Sequence, residues 1–207
     1  MKRIKICGLI NKKDALAAAS LGAWAVGFIF YKKSLRVVEP KVAKKIIEAL
    51  PKGVIPVGVF VNETEANINQ IAKECKLRAI QFHGEETPAF CAKFKKYKTI
   101  KAIRIKNAKD LNAIKRYKTD FYLLDTYEKG LKGGTGKVFD WTILKAAKIP
   151  AKNVILSGGL NPKNIAQAIV DVKAYAYDTS SGVERRPGKK CQRLLKNFVS
   201  AAKGAKG

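Results

Sequence analysis

Two acid–base groups stand at the ends of apolar runs. Cys7 closes "RIKIC" (3–7) and Asp125 closes "FYLLD" (121–125). A thiolate can accept a proton and a carboxylic acid can give one, so the pair suits acid–base chemistry with separated roles. If 3–7 is a strand, alternation puts Arg3, Lys5 and Cys7 on one face and Ile4 and Ile6 on the other. A buried Lys5 one pleat below Cys7 favours the thiolate; the plain alternative is a small buried hydrophobe. Asp125 reads as a proton donor or as a turn cap. His83, the one histidine, shares the phase of Gln81, so both face inward, as a substrate contact or as a satisfied interior histidine. Arg36 has few anions near it in sequence and is either a bidentate carboxylate binder or a surface residue.

Two Gly-rich segments lie late in the chain, "SGGLNPKN" (157–164) and "DTSSG" (178–182). Backbone N–H groups at such turns bind anions. Gly158, Gly159, Ser180 and Ser181 are therefore the candidate phosphate contacts, with ordinary tight turns as the alternative. "GGTG" (133–136) lacks the Lys-Ser/Thr of a P-loop and reads as a flexible loop near substrate or a plain connector. The four cysteines, at 7, 75, 91 and 191, show no metal-ligand spacing, so no metal is expected.

The elements that must position these groups alternate. Short apolar runs at 3–7, 25–30, 55–61, 77–82, 99–105, 121–125, 153–159 and 174–182 read as strands. Amphipathic stretches separate them: a helix capped by Asn11 and stopped at Gly22, one opening at Pro40, one capped by Asn62 or Thr64, one opening at Thr87-Pro88, then "AKDLNAIKRY" (108–117), about 140–148, one starting at Asn161-Pro162, and a last helix, "KKCQRLLKNFVSAAK" (189–203). Continuous apolar strands, each followed by a helix, imply a parallel sheet covered by helices, and eight units imply a single-domain (β/α)8 TIM barrel over 1–207, with "KGAKG" frayed at the end. At just over 25 residues per unit the barrel leaves no space for a second domain. Active sites of such barrels lie at the C-terminal ends of the strands. That rule selects Cys7, Arg36, Asn62, His83, Arg104, Asp125, Gly158, Gly159 and Asp178 through Ser181.

A net charge of +26, from 42 Lys+Arg against 16 Asp+Glu, invites a polyanion partner. The lysines are scattered, however, and the longest basic runs are two residues. They read as a solvated helix surface whose positive field draws in an anionic small molecule, with no specific nucleic-acid partner. A polyanion binder remains the rival from another class, told apart by steep salt dependence. No apolar run is long enough to cross a membrane, and no apolar leader precedes "RIKICG", so a cytoplasmic protein with reduced thiols is expected, as monomer or homodimer.

The motifs together resemble the phosphoribosylanthranilate isomerase family of tryptophan biosynthesis. They are "KICG" (5–8), "GFIFYKKSLRVV" (27–38), "VGVFVN" (57–62), "QFHG" (81–84), "LLD" (123–125), "GGTGKVFDW" (133–141), "LSGGLNPKN" (156–164) and "DTSSGVERRPGKK" (178–190), in order along the whole chain. The resemblance implies a cofactor-free Amadori rearrangement of N-(5-phosphoribosyl)anthranilate to 1-(2-carboxyphenylamino)-1-deoxyribulose 5-phosphate. It makes Cys7 the general base and Asp125 the general acid. It places Arg36 on the anthranilate carboxylate, Asp178 near the ribose and the glycine and serine loops on the phosphate. Leu35 stands where the family has Pro, and Cys191 where an acidic residue is common. Another sugar-phosphate barrel, such as an indole-glycerol-phosphate synthase, would use Lys or paired carboxylates; Lys101 and Lys106 are the lysines near a strand end.

Overall fold

The computed structural model describes residues 2–126, 141, 143–144 and 151–205. Eight parallel strands close into a barrel in sequence order: β1 (Arg3–Cys7), β2 (Ala25–Ile29), β3 (Ile55–Phe60), β4 (Ala79–Phe82), β5 (Lys98–Ile105), β6 (Phe121–Thr126), β7 (Val154–Leu156) and β8 (Ala176–Thr179). β8 pairs with β1 to complete the ring, and the register sets Lys5 opposite Asp178.

The period-2 alternation divides the apolar residues into two cores. Ile4, Ile6, Val26, Phe28, Ile80, Phe82, Leu124, Leu156 and Tyr177 point outward and pack under the helices. Ala25, Val57, Ala79, Ile100, Ala102, Leu123, Ile155 and Ala176 fill the barrel interior. Small residues on several strands keep this inner layer thin, which leaves room near the strand ends for polar side chains.

The helices are α1 (Lys12–Ser20), α2 (Pro40–Glu48), α3 (Glu65–Glu74), α4 (Pro88–Cys91), α5 (Ile165–Asp171) and α6 (Gln192–Gly204). Asn11 caps α1 by accepting the Asp14 N–H at 2.9 Å. Of the two candidates for the α3 cap, Thr64 fills the position, accepting from Asn67. Asn62 instead adopts φ 51° in the loop before it.

Four expectations about elements need correction. Residues 108–116 wind as a 3-10 helix rather than an α-helix. Asn107 and Asp110 form a capping box there, and Asp110 also takes the Lys106 N–H, which tightens the entry. The helix after β7 begins at Ile165, not at Asn161-Pro162, because the Asn161 and Asn164 side chains form a turn ahead of it. β8 ends at Thr179, where Ser181–Val183 turns into a 3-10 segment. α6 continues through Gly204, so the tail is helical further than expected. A two-stranded antiparallel hairpin, β9 (Glu184–Arg186) with β10 (Lys189–Lys190), was not expected at all. The expected "GGTG" loop (133–136) lies outside the described residues, as does the helix expected at 140–148 apart from Trp141, Ile143 and Leu144.

Candidate active site

A cavity of about 220 Å³ opens at the C-terminal ends of the strands. Cys7, Arg36, His83, Asp125, Gly158, Gly159, Asp178, Ser180 and Ser181 all line it, so the predicted residues converge on one place. Asn62 and Arg104 do not line it. Asn62 Oδ1 accepts the Glu85 N–H, and Arg104 Nη2 donates to the His83 carbonyl at 3.2 Å. Lys101 faces the helix layer and donates to Glu86 at 2.7 Å, which removes it as a strand-end catalytic lysine. Lys106 is exposed beyond the end of β5.

Two networks divide the mouth of the barrel. On the β1–β8 side, Lys5 is fully buried and its Nζ donates to Asp178 Oδ1 at 2.8 Å. Ser157 Oγ donates to the other Asp178 oxygen at 3.2 Å. The Lys5 charge also favours the Cys7 thiolate, but it does not make Cys7 an easy thiolate. Burial pushes the thiol up, and this outweighs the lowering by Lys5; the Asp178 carboxylate raises it further. Lys5 does favour the thiolate, as expected, but burial is the larger effect and the thiol ends above its ordinary value. The Lys5 charge is already compensated by Asp178, and the thiol sits where water cannot solvate its anion. Space for the thiol comes from Gly27, its register partner on β2: a Cβ there would lie 2.6 Å from Cys7 Sγ.

On the β4–β6 side, Asp125 Oδ2 lies 3.3 Å from His83 Nε2, close but without hydrogen-bond geometry. Gln81 Nε2 is 2.8 Å from His83 Nδ1. With the Gln81 amide donating, Nδ1 is the acceptor and the ring proton sits on Nε2, facing Asp125. Asp125 Oδ1 accepts the Thr126 N–H at 3.0 Å.

Between these networks lie the loops after β7 and β8. Gly158 (φ 86°) and Gly159 (φ 68°) turn the chain after β7. The Ser180 hydroxyl donates to the Cys7 carbonyl at 3.1 Å, so its role toward an anion falls to its backbone N–H. The backbone N–H groups of Gly159, Ser180 and Ser181 make no hydrogen bond among the described residues.

Sequence reasoning missed Glu184 and Lys190. Arg36 was read as having few anions near it, yet its Nη2 meets Glu184 Oε2 at 2.8 Å across 148 residues of sequence. Lys190 Nζ joins the same carboxylate at 2.7 Å and is driven below the ordinary lysine range by burial. No spacing signals a contact that only barrel closure creates. Among the described residues no group of His, Cys, Asp and Glu could hold a metal ion.

A family model described as "N-(5'phosphoribosyl)anthranilate (PRA) isomerase" matches residues 4–201. The N-(5'-phosphoribosyl)anthranilate isomerase of Trichlorobacter lovleyi is 43% identical over 205 residues, covering 99% of this chain and all of that one. The crystal structure of phosphoribosyl anthranilate isomerase from Thermotoga maritima superposes with a TM-score of 0.89 at 42% identity, over 99% of this chain and 100% of that chain. A phosphoribosyl anthranilate isomerase solved in complex with reduced 1-(o-carboxyphenylamino)-1-deoxyribulose 5-phosphate superposes with a TM-score of 0.85 at 41% identity, over the same shares.

Proposed function

The chain belongs to the N-(5'-phosphoribosyl)anthranilate isomerase family and catalyses that isomerisation in tryptophan biosynthesis, and we propose that Cys7 and Asp125 divide its acid–base work. The observation that carries the division is that both groups open into one cavity, on β1 and β6, each within its own polar network. Asp125 protonates the furanose ring oxygen. The C1–O bond breaks and the nitrogen lone pair forms the C1=N⁺ iminium. The Cys7 thiolate then takes the proton from C2, and that C–H electron pair becomes the C1=C2 bond while the iminium electrons return to nitrogen. The enolamine gains a proton at C1 and loses the C2 hydroxyl proton, giving the ketone. Each acid–base contact is worth about 10²–10⁴-fold. Only protons move, and side chains supply and accept them, so the step needs no cofactor.

The substrate phosphate binds at Gly158, Gly159, Ser180 and Ser181 through backbone N–H groups. Arg36 takes the anthranilate carboxylate. Asp178 holds the ribose hydroxyls beside Cys7, and His83 orients the Asp125 carboxyl. The +26 charge acts as a field that attracts this phosphate- and carboxylate-bearing ligand. A cytoplasmic location suits a biosynthetic step of this kind, and the four free thiols fit a reducing compartment. Expression in a tryptophan auxotroph that lacks this isomerase tests the reading. The wild-type chain should restore growth without tryptophan, and Cys7→Ala and Asp125→Asn should not. Growth supported by either variant would overturn that residue's role.

A further inference from the structure

The hairpin after β8 carries two buried charges that the proton transfers leave unused. Glu184 opens β9, and its side chain is 4% exposed. It accepts Arg36 Nε at 3.0 Å on each oxygen and Arg36 Nη2 at 2.8 Å. Lys190 on β10, its side chain fully buried, donates to Glu184 Oε1 at 2.7 Å and to the Ser180 carbonyl at 3.0 Å. The Gly188 N–H adds a further bond to Glu184 at 3.2 Å.

A guanidinium offers two forks: a side-on fork of Nε and Nη2, and an end-on fork of Nη1 and Nη2. Glu184 occupies the side-on fork. Nη1 makes no hydrogen bond among the described residues, although Arg36 lines the cavity. The stem is held as well. Arg36 Cδ lies over Gly8, where a Cβ would come within 2.7 Å, and the Arg36 N–H bonds Ser34 Oγ at 3.1 Å. The guanidinium is thus fixed before any ligand arrives, which removes ordering cost from binding. The charges count the same way. Arg36 and Lys190 are cationic and Glu184 anionic, so the cluster keeps one net positive charge, which a single incoming carboxylate neutralises.

We infer that Glu184 is a positioning residue: braced by Lys190, it aims the end-on fork of Arg36 into the cavity and so sets the preference for a ligand whose aryl ring carries a carboxylate. This rests on the assignment of Arg36 to the substrate carboxylate. Calorimetric titration of two ligands tests it, reduced 1-(o-carboxyphenylamino)-1-deoxyribulose 5-phosphate and its analogue with a plain phenylamino group. In Glu184→Gln the carboxylated ligand should bind about 10- to 100-fold more weakly while the plain analogue stays within about twofold, the scale expected for a charge-assisted hydrogen bond lost on one ligand alone. Glu184→Asp, one methylene shorter, should show the same selective loss in smaller size, and it serves if Glu184→Gln does not fold. Equal loss on both ligands, no loss, or tighter binding of the carboxylated ligand overturns the inference. Arg36→Met separates the two readings. If it keeps the preference for the carboxylated ligand, the Arg36 assignment falls and this one with it. If it abolishes the preference while Glu184→Gln keeps it, only the role of Glu184 falls.

Discussion

At its N-terminal end the barrel is closed by rings; at its C-terminal end the same inward-facing strand positions carry ionisable groups. Trp24 and Tyr175 meet edge-on with centroids 5.5 Å apart, and Phe121 and Tyr175 lie 4.7 Å apart. Arg3 stacks over Tyr175 at 4.3 Å and covers the plug. β6 shows the contrast on one strand: Phe121 sits in the floor, Leu123 in the middle layer and Asp125 in the mouth. β1 repeats it with Arg3, Lys5 and Cys7. Depth along the strand decides whether an inward residue supports stability or chemistry. Changes in the floor should therefore move stability and spare the rate, whereas changes in the mouth should move the rate.

Asp125→Asn should break the mouth most severely. Turnover falls about 10²–10⁴-fold while the thermal midpoint holds, because Asn keeps the shape but has no proton to give. Steady-state kinetics beside a melting curve checks this. Lys5→Met sits between the two regions and should damage both. It leaves the buried Asp178 carboxylate uncompensated, at a cost of about 3–5 kcal/mol in urea unfolding, and it removes the cation beside Cys7. In the floor, Trp24→Ala should cost about 2 kcal/mol, below the ~3–5 kcal/mol of a fully buried aromatic because Trp24 is half-buried, with turnover unchanged.

The pH profile sharpens the picture of the mouth. As the proposed base Cys7 must be deprotonated, and burial raises it above the ordinary thiol value, so in Asp125→Asn, where no second group has to stay protonated, kcat/KM should still be rising with pH through neutrality. A profile flat from neutral to alkaline pH would contradict Cys7 as the rate-determining base.

The smallest effect belongs to the floor. Burial alone would raise Asp120, but hydrogen bonds from Lys98 and Thr99 outweigh it and hold the carboxyl below its usual value. A lowered carboxyl contributes stability above its unfolded pKa and loses it as pH falls through the folded one. Asp120→Asn should thus cost about 0.5–1 kcal/mol at neutral pH, the exposed Lys98 side being screened, and the difference should vanish in strong acid.

The barrel was legible because each parallel strand is an apolar run with strict alternation, and alternation alone put Lys5 and Cys7 inside and Ile4 and Ile6 outside. The turns after β7 and β8 were legible because glycines after two successive strands mark turns whatever the tertiary context. Helix ends read less well, since side-chain turns at Asn107, Asp110, Asn161 and Asn164 reshape them locally. The ionic partnerships were not legible. Lys5 was matched to Cys7 by adjacency, but the β1–β8 register gives its charge to Asp178, 173 residues away. Arg36 looked unpartnered for the same reason, because Glu184 reaches it only once the last strand closes the barrel.

The most direct test of the central claim measures turnover of N-(5-phosphoribosyl)anthranilate by Cys7→Ala together with its affinity for the reduced product. The account predicts a kcat reduced by about 10²-fold or more with binding essentially unchanged, since the thiol acts on the C2 proton and not on the phosphate or carboxylate. A Cys7→Ala variant that turns over near the wild-type rate would contradict it.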